Sequence, residues 1–157
     1  MTPRTFTFVK NVKGALYVDL ETYDMMGAPK TFVFGPTIEK LVIPYPYALG
    51  LFVSPAALNM YRNGIFLIEN ESELYKAGVE QGFVAREERP EVTRLVDIEN
   101  TFKGNKVKVL KDLIKKGTND PILVDNVLTC AREYFDGLSN EMVDLIQEAT
   151  GVDLRIE

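Results

Sequence analysis

Two carboxylates separated by one residue are the first place where this sequence could do chemistry. Asp19 and Glu21 stand at the end of residues 15–20, whose alternating apolar pattern is typical of a strand. Because side chains two residues apart on a strand share a face, these carboxylates could hold one divalent cation. Asp24 adds a third carboxylate nearby, so a low-affinity calcium site is an alternative to plain surface acidity.

Residues 16–22, a strand that leads into Asp-x-Glu-Thr, resemble the first motif of the DEDD exonucleases. The resemblance implies that the two carboxylates bind divalent cations and activate water for phosphodiester cleavage. That family also needs carboxylates from two later motifs and a histidine or tyrosine near the last one. Asp97 is the only residue that suits the second motif, and Tyr134 followed by Asp136 has the wrong spacing for the last. A metal-dependent nuclease using this pair is therefore an alternative function and not the leading one.

Residue types that the chain lacks exclude the commonest catalytic sites. The sequence has no histidine, which removes Ser/His/Asp and Cys/His catalysis and the commonest transition-metal ligand. Its single cysteine, Cys130, excludes an intramolecular disulfide and a cysteine-based zinc cluster, and we expect it to be buried on a helix. The prediction is a non-enzymatic protein with no catalytic residue, no cofactor and no metal.

Composition and charge are those of an ordinary globular protein. The chain has 157 residues, of which 46% are hydrophobic and 26% charged, so it can bury a core. A net charge of −5 argues against a surface built to neutralise phosphates, and binding to nucleic acid is not expected. No apolar run approaches the roughly 20 residues of a membrane span, and no signal peptide is evident, so we expect no membrane partner and an intracellular origin.

Strand-forming segments dominate the first third of the chain. Residues 5–9 and 15–20 lie on either side of a turn candidate at 11–14 and are predicted to form a hairpin. Residues 31–34 and 40–43 are two further strand candidates.

Two helix-then-strand units follow in tandem. Ser54 is predicted to cap a short helix at 56–63, and the apolar residues 65–68 form the strand after it. A second capping signal at 70–73 precedes another helix at 74–81, which Gly82 ends, and residues 83–85 form the strand of this second unit. The first half therefore reads as a β-rich module with short helix-strand units.

The second half reads as helices. The charged residues 86–91 interrupt the apolar pattern and are predicted to be a solvated hinge between the halves. Beyond them, helical spacing of apolar residues and N-caps at Asp120 and Ser139 predict a small helical bundle. The predicted fold class is α+β, with a β-rich module at 1–85 and a C-terminal helical bundle at 92–157.

A segment rich in proline and tyrosine follows the strands. It consists of Pro44, Tyr45, Pro46 and Tyr47. We expect an extended loop or arm, because proline cannot donate to a sheet ladder and favours extended structure. Tyrosine rings offer a large contact area at small entropic cost, so these four residues are the predicted interface with a partner. Packing of the rings on the protein's own sheet is the more ordinary alternative.

The first half of the chain shows a loose pattern of strands and one helix-strand unit. It consists of residues 6–11, a hairpin, a Gly/Pro-flanked strand and residues 54–68. The last segment has the order Ser-x-x-x-Leu-x-x-x-x-x-Gly-Ile-Phe-Leu-Ile. The pattern resembles small virion proteins of tailed bacteriophages. The resemblance implies a structural role in a phage head, neck or tail. Copies would repeat around a symmetry axis and bind one another or neighbouring virion proteins.

The leading prediction is therefore a structural or assembly protein of a bacteriophage virion. It would act through protein–protein contacts, as a homo-oligomer or with other virion proteins, and would reside in the virion or in the host cytoplasm before assembly. A phage-encoded adaptor is a further alternative. It would bind a host protein through the helical half, where residues 103–116 are locally basic.

Overall fold

A computed structural model describes residues 5–90, 92–117 and 120–156. The chain folds into two compact units, Met1–Val92 and Thr93–Glu157. The strands of the described residues all lie in the N-terminal unit, and most helices lie in the C-terminal unit. This distribution confirms the predicted α+β class.

The order of elements differs between the units. The N-terminal unit contains β1 (Thr5–Lys10), β2 (Leu16–Leu20), β3 (Lys30–Phe34), β4 (Lys40–Pro44), α1 (Tyr45–Leu49), α2 (Pro55–Arg62), β5 (Phe66–Ile68) and α3 (Glu71–Glu80). The C-terminal unit contains α4 (Leu95–Lys103), α5 (Val107–Gly117), α6 (Pro121–Glu133) and α7 (Asn140–Thr150).

The strands form two small antiparallel sheets. In the first, β1 lies between β4 and β5, and Phe8 stands opposite Ile68. The Phe8 ring stacks on Phe66 at 5.1 Å between centroids, which adds a favourable aromatic contact to the burial of both rings. In the second sheet, β2 pairs with β3 and Tyr17 stands opposite Val33.

The predicted hairpin between residues 5–9 and 15–20 is wrong, because β1 pairs with β4 and β5 while β2 pairs with β3. The chain leaves β1 through Asn11, a buried residue whose side-chain amide donates to the carbonyl oxygen of Gly64 at 2.8 Å. Alternation along a sequence identifies a strand and its buried face. The partner strand is selected by contacts between distant residues such as this one.

Both sheets and the helices around them share one core in the N-terminal unit. Its fully buried large side chains include Phe6, Phe8, Phe34, Phe66, Leu20, Ile43, Leu49, Leu51 and Leu74. Gly50, just after α1, packs closely on the chain that leaves β2. A Cβ atom at Gly50 would lie 1.7 Å from the carbonyl oxygen of Glu21, so only glycine fits without a shift.

The C-terminal unit has its own core between α4, α5, α6 and α7. Ile98, Phe102, Leu110, Met142 and Ile146 are fully buried there. Cys130 is also fully buried, on α6, as predicted.

Two of the four predicted helix caps are confirmed. The Asp120 carboxylate accepts from the backbone N–H of Leu123 at 3.1 Å, and the Ser139 hydroxyl accepts from that of Met142 at 3.3 Å. Ser54 precedes α2 but makes no capping bond, because its hydroxyl binds the backbone elsewhere. Asn70 precedes α3 and its side chain makes no capping bond either. The strand expected at residues 83–85 is wrong, because these residues form no strand after α3.

Candidate functional site

Asp19 lies on the outward face of β2, where it is exposed to solvent. One of its carboxylate oxygens accepts a hydrogen bond from the hydroxyl of Thr31, its partner on β3. The carboxylate is therefore engaged in a cross-strand contact that stabilises the sheet locally.

Glu21 lies just beyond the end of β2, so the two carboxylates do not both belong to the strand as the sequence suggested. Its backbone N–H donates to the Ser54 hydroxyl at 2.9 Å, and that hydroxyl donates to the carbonyl oxygen of Gly50 at 2.7 Å. In the described part of the chain, no group of three or more His, Cys, Asp or Glu side chains is placed to hold a metal ion.

The other carboxylates considered for these sites lie in different settings. Asp24 closes a turn by accepting from the backbone N–H of Met26 at 3.0 Å. Asp97 lies in the first turn of α4, and Asp136 lies in the short helical turn that follows Tyr134. Each of these three carboxylates therefore belongs to a turn or a helix of its own, and they do not form one site with Asp19 and Glu21.

The predicted extended arm is wrong, because Tyr45–Leu49 is the short helix α1. Pro44 precedes the helix with extended dihedral angles, and Pro46 lies in its first turn. Proline is tolerated there because the first N–H groups of a helix have no acceptor within it. The prolines thus begin a helix here and do not prevent one.

Both tyrosines of α1 pack on the core of the N-terminal unit, which was the alternative left open by the sequence. The Tyr47 ring meets Phe32 edge-on at 5.4 Å between centroids, and its hydroxyl donates to the carbonyl oxygen of Ala28 at 2.8 Å. The Tyr45 ring meets Tyr23 edge-on at 5.7 Å. Burial, with smaller contributions from Tyr23 and Glu80, raises the pKa of Tyr45. Both rings keep part of their surface exposed, and their use as an interface stays a prediction.

The outward face of the β2–β3 hairpin carries an apolar pair that the sequence pattern did not indicate as a site. Tyr17 and Val33 are cross-strand partners and are 61% and 44% exposed. Neither β2 nor β3 pairs with another strand in the described residues. Each therefore has one edge without a strand partner, which we call an open edge. We call the exposed pair the hairpin face. Its signal in the sequence was a large apolar residue at an outward position of each strand.

A second feature that the sequence did not indicate joins α2, α3 and the charged segment. The Tyr61 hydroxyl, which is buried, donates to the Glu71 carboxylate, and Arg89 Nε lies 3.2 Å from the other oxygen of Glu71. The Tyr75 hydroxyl donates to the carbonyl oxygen of Glu88 at 2.6 Å. Burial, and then the bond to Glu71, raise the pKa of Tyr61 well above its usual range.

These contacts attach the charged segment to α3. Arg89 also pairs with Glu87, and this bond lowers the pKa of the Glu87 carboxyl. Residues 86–89 are exposed, as expected of a solvated segment, and Arg89 in addition reaches the Glu71 carboxylate, which is only 19% exposed. Its role as a hinge stays a prediction.

All lysines of the C-terminal unit lie within residues 103–116, and all are exposed. Only one carboxylate, Asp112, stands among these six lysines. The Lys103 ammonium lies 5.7 Å from the centre of the Tyr134 ring, a cation–π contact. None of the six forms an ion pair with a described residue. Residues 103–116 therefore concentrate positive charge that no ion pair with a described residue compensates.

Comparisons of the chain with family models, curated proteins and solved structures gave no significant match. Among the described helices, none combines the length and the apolar character that a membrane span requires. The function of the chain is therefore inferred from the surfaces of each unit taken by itself.

Proposed function

We propose that this chain is a non-enzymatic structural or assembly protein that acts through protein–protein contacts, as a head, neck or tail component of a bacteriophage particle. The observation that supports the assembly role is the hairpin face with its two open strand edges. The phage setting rests on the sequence resemblance of the first half alone.

The hairpin face has the properties of a contact surface. Tyr17 is a large ring with a polar end, and such residues are enriched where protein interfaces concentrate their binding energy. The open edges of β2 and β3 present backbone groups that a strand of another chain could pair with. The inward side chains Val18, Leu20 and Phe34 anchor the hairpin on the core, so the face is held on a fixed support.

The solution mass of the full chain tests the proposal. We expect light scattering to show an oligomer that grows with protein concentration and does not depend on Mg²⁺. Replacing the pair by Tyr17→Thr with Val33→Thr keeps the strand propensity and removes apolar surface, so it should shift the equilibrium toward the monomer. Val42→Thr, on the exposed face of β4, is the matched control and should leave the mass unchanged.

A nuclease would give the opposite result. A strict monomer at every concentration, with Mg²⁺-dependent hydrolysis of nucleic acid that is lost in Asp19→Asn with Glu21→Gln, would overturn the proposal. The metal-dependent alternative based on these two carboxylates would then replace it.

A further inference from the structure

The lysines of α5 include a straight row on the exposed side of the helix. Lys108, Lys111 and Lys115 are exposed and spaced i, i+3, i+7. Each residue turns an α-helix by about 100°, so this spacing keeps the three ammonium groups within about 60° around the axis. We call them the lysine stripe. Asp112 is adjacent to it and is the only acidic residue on α5.

The carboxylates of α7 form a row with the same geometry. Glu141, Asp144 and Glu148 are exposed and also spaced i, i+3, i+7. We call them the acidic stripe. Asp144 is paired with Arg155 at 2.9 Å, and Glu141 and Glu148 have no ion pair with a described residue. Both helices have 11 residues, and each stripe occupies the second, fifth and ninth positions of its helix.

Within one C-terminal unit the two stripes do not neutralise each other. No ion pair joins α5 to α7 among the described residues, although the two helices share a core through Leu110, Leu113, Met142 and Ile146. Two surfaces of opposite charge and matching spacing are thus available on every copy of the chain.

We propose that copies of this chain bind head to tail, with the lysine stripe of one copy against the acidic stripe of the next. The inference rests on the proposed assembly function and specifies its contact. When α5 of one copy runs parallel to α7 of the next, the equal spacing places each of the three lysines opposite one carboxylate. An antiparallel arrangement offsets the outer pairs by about one residue, or 1.5 Å of rise, which long side chains accommodate.

A second copy fits the lysine stripe better than a nucleic acid does. Outside residues 103–116 the C-terminal unit has three arginines and eleven acidic residues, so most of its surface repels phosphates. The partner with matching charge spacing is present on the same chain. Because the contact joins two different surfaces, it is heterologous, and repetition produces a ring where the rotation closes and a filament where it does not.

Charge reversal in the full chain tests the contact by light scattering. The variant Lys108→Glu, Lys111→Glu, Lys115→Glu and the variant Glu141→Lys, Asp144→Lys, Glu148→Lys should each associate at least about tenfold more weakly than wild type, because attraction becomes repulsion. An equimolar mixture of the two should recover the oligomer, since each reversed stripe then meets an opposite one. Recovery also demonstrates that both variants are folded. Wild-type association should weaken between low salt and about 0.5 M NaCl.

Asp125→Lys with Asp136→Lys provides a control, since these exposed carboxylates lie outside the stripes and should leave the mass of wild type unchanged. Wild-type oligomers that persist in both reversed variants would overturn the inference and leave assembly through the hairpin face standing. Binding of a DNA duplex that is lost on lysine reversal, without recovery of oligomers on mixing, would also overturn it. A strictly monomeric wild type would overturn both the head-to-tail contact and assembly as a homo-oligomer.

Discussion

Replacing Gly50 by alanine should destabilise the N-terminal unit strongly, for a reason that lies in one contact. The backbone of Gly50 is right-handed, with φ −62°, so alanine itself could adopt it. The added Cβ atom, however, would lie 1.7 Å from the carbonyl oxygen of Glu21, where at least 3.0 Å is required. The chain after β2 and the end of α1 must therefore move apart.

The loss of stability can be estimated from the hydrogen bonds that this movement breaks. The Ser54 hydroxyl joins the same two segments, accepting from the N–H of Glu21 and donating to the carbonyl oxygen of Gly50. Losing these two bonds costs about 1–3 kcal/mol, and overpacking of a buried site costs about 1–3 kcal/mol more. We expect Gly50→Ala to lower the free energy of unfolding by about 2–6 kcal/mol, a large part of the stability of a small domain.

Denaturant unfolding followed by the near-ultraviolet circular dichroism of tyrosine measures this change. Six of the seven tyrosines lie in the N-terminal unit and only Tyr134 lies in the other, so the signal reports mainly on the unit that contains Gly50. Gly35→Ala is the matched control, because its Cβ atom would meet Ile38 at an ordinary 3.5 Å. Equal unfolding midpoints for the two variants would refute the steric argument.

Four further predictions concern the remaining contacts. Tyr61→Phe should lower the free energy of unfolding by about 1.5–3 kcal/mol, since Glu71 loses a hydrogen bond in a largely buried site. Wild type should also lose stability as the pH rises above about 10, because the pKa of Tyr61 is raised in the fold, and Tyr61→Phe should reduce this loss in melts at pH 9 to 11. Ser139→Ala should cost about 0.5–2 kcal/mol in urea titrations by removing the cap of α7, whereas Ser139→Asp should keep it. Asp19→Asn should change the melting temperature little, with or without Mg²⁺, and a stabilisation by Mg²⁺ that needs Asp19 would contradict the prediction that no metal binds there.

Features that depend on neighbours in sequence were predictable. Asp120 and Ser139 were identified as helix caps because a capping side chain binds a backbone group only three residues ahead. Cys130 was expected to be buried on a helix because a free cysteine behaves as a small apolar residue, and it is buried on α6. The α+β class followed from the same local periodicities.

Features that depend on residues distant in the sequence could not be predicted from the sequence. The sequence by itself determined that residues 5–9 form a strand, but tertiary structure decided that this strand pairs with β4 and β5, through burial of Phe8 and the bond from Asn11 to Gly64. The prolines of α1 allow either an arm or a first helical turn, and packing of the tyrosines on the core selects the helix. The local sequence pattern indicates which side chains are buried. Which residues they pack against depends on the tertiary structure, because those contacts join segments that are distant in the sequence.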